Sequence, residues 1–208
     1  DKGATWTNST LPVEGVIKEL YYWDGFYYLR STMGIWKGTF DAPFSFTKIY
    51  NAEGGGSQES KAMSITDAGL WVNTNLGNSM FSSDNGVSWE ERSKGIIGRV
   101  GTMRSFCGKL VTSSGNNSTR SEYLSNQQDG VWQKSNSLGY ARILGELNGV
   151  AYAYPPVLRS IDCGAKWDTI LYPEIHIEGA PKDLVTSGNR VFFWNIAAAP
   201  ILYSDNNG

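Results

Sequence analysis

Ser82-Ser83-Asp84-Asn85-Gly86-Val87-Ser88-Trp89 is the stretch whose reading decides the fold, because it recurs. It returns as Ser160-Ile161-Asp162-Cys163-Gly164-Ala165-Lys166-Trp167, and in degenerate form as Thr39-Phe40-Asp41-Ala42-Pro43-Phe44-Ser45-Phe46. Ser125-Asn126-Gln127-Gln128-Asp129-Gly130-Val131-Trp132 is a copy shifted internally. The sequence opens part-way into another, Asp1-Lys2-Gly3-Ala4-Thr5-Trp6, and stops inside one more, Ser204-Asp205-Asn206-Asn207-Gly208. The closing aromatics Trp6, Phe46, Trp89, Trp132 and Trp167 stand 40, 43, 43 and 35 residues apart. A period near 40 residues signals a repeat architecture, in which each unit buries its apolar face against the next. The chemistry inside one copy is that of a tight turn. Glycine at the fifth position permits a positive φ, the Asp and Ser side chains can cap backbone N–H groups within the turn, and the Trp buries a large ring between neighbouring units.

A second repeat runs in step with the first. Five short turns each precede a β-rich run: Asp24-Gly25, Ala68-Gly69, Cys107-Gly108, Asn148-Gly149 and Gly188-Asn189. Their glycines step by 44, 39, 41 and 39 residues. Asp-Gly and Asn-Gly favour hairpins, and the flanking aromatic and β-branched residues suit strands. Each unit therefore reads strand A, turn, strand B, loop, strand C, box motif, strand D, which is one four-stranded antiparallel blade. Complete A-B-C sets begin near residues 16, 62, 102, 141 and 183. The expected fold is all-β: residues 1–208 as one domain, a five-bladed β-propeller of four-stranded blades at about 42 residues each. Residues 1–8 would supply a strand D that completes the last blade and removes the open sheet edges. A fragment of a larger propeller is the alternative.

The pattern Ser/Thr-x-Asp-x-Gly-x-Ser/Thr-Trp resembles the Asp box, or BNR repeat, of sialidases, sortilin-type receptors and related surface proteins. The resemblance covers nearly the whole chain. It implies a hairpin turn between strands C and D, on the face opposite the binding or catalytic face. The box residues Asp1, Gly3, Trp6, Asp41, Phe46, Ser82, Asp84, Gly86, Trp89, Trp132, Ser160, Asp162, Gly164, Trp167, Ser204 and Gly208 are accordingly expected to be scaffold.

Composition narrows the function. Net charge is −2 with only 18% charged residues, which argues against nucleic acid as a partner. No apolar run reaches the length of a membrane span. Cys107 and Cys163 define no disulfide framework. The blade register puts them toward the same face of neighbouring blades, one near an inner strand and the other in an outer turn, too far apart to bond. The lone His176 has no Cys or His partner, so no metal site and no cofactor are expected.

Binding residues are expected on the face formed by the B–C loops and the D–A connections, where loops sit on a rigid frame. The B–C loops include Asn73 to Asn78 and Ser113 to Arg120, and the D–A connections include Ser93 to Arg99. Tyr50, Arg99, Tyr140, Tyr154, Tyr172 and Trp194 are the ligand-binding candidates. The aromatics can stack on sugars or apolar side chains, or can instead pack between blades. The enzymatic alternative is a sialidase-like glycoside hydrolase. The chain has no Arg-Ile-Pro motif, and a glycosidase needs two carboxylates across the scissile bond. The weak candidates for such a pair are Glu19 and Glu146. The favoured reading is a non-catalytic binding propeller that recognises a cell-surface glycan or a partner protein, at a cell or virion surface, as in a phage or bacterial receptor-binding module. A structural module within a larger chain or assembly is the third reading.

Overall fold

The computed structural model describes residues 10–40, 45–52, 60–74, 76–116, 119–126, 130–135, 142–154, 157–170, 183–194 and 202–205. The chain divides into two compact units, Asp1–Ser60 and Lys61–Gly208.

In the first unit, β1 (Ile17–Trp23), β2 (Phe26–Ser31), β3 (Gly34–Thr39) and β4 (Ser45–Asn51) form an antiparallel meander. Asp24 and Gly25 join the first two strands with φ of 50° and 80°. Two positive φ values give the hairpin a turn whose twist matches that of the strands. One face of the sheet gathers Leu29, Trp36 and Phe46, against which Leu11, Val13 and Tyr27 pack. The buried Arg30 donates from Nε to Glu19 Oε2 at 2.7 Å and from Nη1 to the Ser60 carbonyl at 2.7 Å, so its charge is both paired and hydrogen-bonded.

The second unit repeats that meander. One four-stranded sheet holds β5 (Ser60–Thr66, whose first residue belongs to the first unit), β6 (Gly69–Thr74), β7 (Ser79–Ser82) and β8 (Glu90–Glu91). A second holds β9 (Val100–Phe106), β10 (Lys109–Asn116), β11 (Thr119–Asn126) and β12 (Trp132–Ser135), and a third β13 (Arg142–Leu147), β14 (Val150–Tyr154), β15 (Leu158–Ser160) and β16 (Asp168–Thr169). Among the described residues the last sheet has three strands, β17 (Asp183–Ser187), β18 (Arg190–Trp194) and β19 (Leu202–Ser204). The strands follow the expected A-B-C-D order in an all-β, propeller-like arrangement. Two details differ from expectation. The second hairpin turns at Asp67-Ala68, and Gly69 already belongs to β6. The loop expected over Ser113 to Arg120 is mostly strand, because β10 and β11 pair as far as Asn116 with Thr119. The strand D expected from residues 1–8 lies outside the described residues.

Apolar side chains fill the spaces between sheets. Trp71, Phe81, Met103, Leu110 and Trp132 form one cluster, with Trp71 and Trp132 edge to face at 6.1 Å. Phe106, Val111, Ile143, Ala151 and Ala153 form the next. Leu144, Tyr152, Val157, Val191 and Phe193 form the third. Each fully buried large side chain contributes roughly 1.5–3 kcal/mol relative to exposure, so these clusters hold the sheets in order.

Two box motifs, one after β7 and one after β15, build the same turn. Ser82 Oγ donates to Asp84 Oδ1 at 2.7 Å and accepts from the Gly86 N–H at 2.8 Å, while the Ser88 N–H donates to Asp84 Oδ1 at 2.9 Å. Ser160, Asp162, Gly164 and Lys166 reproduce these bonds at 2.8, 2.8 and 2.9 Å. Gly86 and Gly164 have φ of 90° and 85°. The closing Trp167 leans on Phe106 of the preceding sheet, ring centres 6.2 Å apart, and Trp132 is buried against that cluster's neighbour. Asp1, Gly3, Trp6, Asp41 and Gly208 lie outside the described residues.

One expectation is overturned. Cys107 and Cys163 form a disulfide, with Cα atoms 5.6 Å apart. Cys107 sits in the hairpin turn itself at φ 46°, and Cys163 sits in the box turn of the next sheet at φ 57°. Both turns occupy the same end of their sheets. The Phe106–Trp167 contact draws them together, bringing the Cα separation into the bonding range.

Candidate functional site

The candidate carboxylates Glu19 and Glu146 are engaged in structure. Glu19 pairs across strands with Arg30, its register partner. Glu146 on β13 accepts a 2.6 Å hydrogen bond from the Cys107 N–H, tying the hairpin turn of one sheet to the first strand of the next. Acceptance from a backbone donor satisfies a group that the turn leaves unpaired.

The box carboxylates of Asp84 and Asp162 are likewise held by hydrogen bonds. Hydrogen bonds from the Ser88 hydroxyl, the Ser88 N–H and the Ser82 hydroxyl hold the Asp84 carboxyl down at about 2. The Lys166 N–H and the Ser160 hydroxyl lower that of Asp162. An anion so stabilised stays ionised and is a poor proton donor near neutral pH.

The loop end of the sheets carries the binding candidates. Tyr50 lies near the end of β4, opposite Ile35, and partial burial raises its phenol above the ordinary value. Arg99 is exposed immediately before β9. Tyr154 ends β14, half-buried, and packs on the Leu144–Tyr152–Phe193 cluster. Trp194 ends β18, its side chain outside those described. Each of these residues falls at the end of its own sheet that carries the B–C loop or the D–A connection. Tyr140 and Tyr172 lie outside the described residues. Among the described residues no group of three His, Cys, Asp or Glu side chains is placed to hold a metal ion, and no helix is long and apolar enough to cross a membrane.

Sequence reasoning passed over a polar pair at the same end of the β5–β8 sheet. Asn73 and Ser79 are cross-strand partners beside the β6–β7 loop, and both are fully buried. Asn73 Nδ2 donates to Thr112 Oγ1 at 2.6 Å, and Thr112 Oγ1 donates to the Thr102 carbonyl at 3.0 Å. The chain reaches from one sheet to the next. Among the described residues, Asn73 Oδ1 and Ser79 Oγ have no hydrogen-bond partner. The visible signal was an amide ending the apolar run Leu70-Trp71-Val72.

No family model matches the chain, and no curated protein matches it. Solved structures do. A YCF48 bound to D1 peptide matches over 100% of this chain and 71% of its own, at 18% identity and a TM-score of 0.72. YCF48 from Cyanidioschyzon merolae matches over 98% of this chain and 74% of its own, at 11% identity and a TM-score of 0.69. The extracellular domain of BT4673 from B. thetaiotaomicron matches over 94% of this chain, at 14% identity and a TM-score of 0.64, and this chain spans only 29% of it. Likeness at these identities is a likeness of fold, and with the meander of sheets it makes this chain an all-β protein of β-propeller type.

Proposed function

We propose that the chain is a non-catalytic binding propeller whose loop end recognises an extended segment of a partner protein. The observation that carries this is the engagement of Glu19 and Glu146. Glu19 is held by Arg30 and Glu146 by the Cys107 N–H, so the two carboxylates named as weak catalytic candidates have other work. A rigid frame of packed sheets with loops gathered at one end of each is suited to binding without chemistry. The peptide on the similar YCF48 structure favours a protein ligand over a glycan. A glycan remains the second reading, because Tyr50, Tyr154 and Trp194 could stack on sugar rings. The two box turns with the same hydrogen bonds support membership of the Asp-box family on this reading. The binding reading is the same for a ring of five blades or of more.

The Cys107–Cys163 bond supports a location outside the reducing cytosol, since such bonds persist in oxidising compartments. A cell or virion surface meets that condition.

Parallel screens on a displayed peptide library and a glycan array test the proposal. Peptide binders should emerge that lose affinity with Arg99→Ala or Trp194→Ala and keep it with Glu19→Gln. Arg99 is exposed, so its loss should leave folding within about 0.5 kcal/mol of the parent. Glycan binders alone would favour the second reading. Turnover of a glycoside, lost in folded Glu146→Gln, would overturn both.

A further inference from the structure

Two loops of the second unit meet tip to tip. One joins β6 to β7, and the other, residues 92–99, joins β8 to β9. Both are fastened. In the first, the Thr74 N–H donates to the Asn78 carbonyl at 2.9 Å and the Gly77 N–H to the Thr74 carbonyl at 3.1 Å. In the second, the Arg92 N–H donates to the Ser79 carbonyl at 2.7 Å, and Ser93 Oγ accepts from the Ser79 N–H at 2.9 Å. Trp132 of the next sheet adds two bonds of 2.8 Å, from its N–H to the Lys94 carbonyl and from its Nε1–H to the Arg92 carbonyl. Ile96 packs on the cluster that holds Trp71 and Trp132.

The tips touch through glycine. A Cβ on Gly77, whose φ is 99°, would stand 2.3 Å from the Gly98 carbonyl oxygen and 3.6 Å from the Arg99 Cα. No side chain fits between the loops, so they present one continuous surface. The residue before each glycine is a large aliphatic on that surface: Leu76 is 55% exposed and Ile97 79%. Lys94 and Arg99 flank Ile97 in the chain. Both are exposed, and among the described residues neither is paired with an acid. Residues 93–99 include no Asp or Glu. Glu90 is taken by Arg92, and Glu91 sits back on β8 opposite Met80. The patch is therefore apolar at its centre and positive beside it. Its loops are already ordered by the bonds to Ser79 and Trp132, so a partner that lands there bears little further entropy cost on their account.

We propose that these two tips are the recognition point for an extended segment of a partner protein that carries an apolar side chain beside an Asp or Glu. The assignment rests on the peptide-binding reading above and gives it a chemistry. The apolar side chain covers Leu76 and Ile97. The neighbouring carboxylate meets the Arg99 guanidinium, whose planar fork matches two carboxylate oxygens, and Lys94 adds a second positive charge to draw it in. A neutral glycan offers the patch neither group.

A displayed library of random linear peptides supplies the probe, and a synthetic peptide of the selected consensus is then titrated against variants of the 208-residue chain. The consensus should set Asp or Glu beside Leu, Ile, Val or Phe. Ile97→Ser and Arg99→Glu should each weaken its binding about tenfold or more. Both positions are exposed, so the melting transition should barely move. Exchanging the acidic residue of the peptide for Lys should abolish binding to the parent chain and restore it to Arg99→Glu. Peptides that lose affinity with Trp194→Ala yet keep it with Ile97→Ser and Arg99→Glu would place recognition elsewhere, overturning this inference and leaving the binding reading in force. A consensus without an acid would overturn it in the same way. A library that yields no binder would remove both together.

Discussion

The turn at Ser82–Trp89 and the turn at Ser160–Trp167 share a backbone path and three side-chain hydrogen bonds, and they differ in what fastens them. Ser88 adds a fourth bond, its hydroxyl donating to Asp84 Oδ2 at 2.5 Å. Lys166 stands at that place in the second turn and contributes only its N–H. Where the first turn has Asn85 at φ 60°, the second has Cys163 at φ 57°, bonded to the hairpin of the preceding sheet. Asn tolerates a left-handed backbone well and Cys does so less readily. The box pattern thus sets a local geometry and leaves the strength of attachment to its variable positions.

The largest effect should come from removing that attachment. Reduction, or Cys107→Ser with Cys163→Ser, opens a closure between residues 56 apart and should cost about 2–4 kcal/mol. Urea unfolding with and without reductant measures it, and an unchanged midpoint would show that the Phe106–Trp167 packing alone holds the second turn. Next come the buried hydroxyls. Ser82→Ala leaves the Gly86 N–H without its acceptor and should cost about 1–3 kcal/mol. Ser160→Ala should cost less in the oxidised protein and as much once it is reduced. Equal costs in both states would break the contrast between the turns.

Acid should weaken the turns by a smaller amount. The Asp84 carboxyl titrates lower in the folded chain than in the unfolded one, so its contribution is complete above an ordinary carboxylate value of about 3.9. It is lost as pH falls through about 2. The denaturation midpoint should fall over that window, and Asp84→Asn should flatten the fall. The smallest effect is expected from Ser88→Ala, below about 1 kcal/mol because the bond is exposed. A loss equal to that of Ser82→Ala would mean that the fourth bond, rather than the buried serine, secures the first turn.

Much of the fold was legible because two independent signals kept the same period. The box aromatics and the hairpin turns each marked one unit per 40 residues or so, and strand order followed from their alternation. The limits of β10 and β11 were not legible, since Ser113-Ser114-Gly115-Asn116 reads as loop by composition while its backbone pairs as a ladder. The disulfide was hidden for a different reason. Cys107 aligns with Asp24 and Asn148 in the hairpin turns, and Cys163 with Asn85 in the box turns. That alignment places both at the same end of adjacent sheets, but the 5.6 Å approach depends on how one sheet leans on the next, which no local pattern records. The binding end was legible in position and poorly in detail. Tyr154 reads equally as ligand platform or packing, and its half-burial on the third cluster shows one side chain doing part of the second job.

The bond between Cys107 and Cys163 also fixes how the molecule would respond to force. The 56-residue step between them becomes a covalent ring spanning the hairpin of one sheet and the box turn of the next. Pulled from its two ends, the chain could pay out everywhere except across that ring. At about 3.4 Å per extended residue, roughly 190 Å of contour would stay locked until the bond was reduced. A tether that lengthens in two stages, with the second released by a thiol, would be the single-molecule signature of this staple.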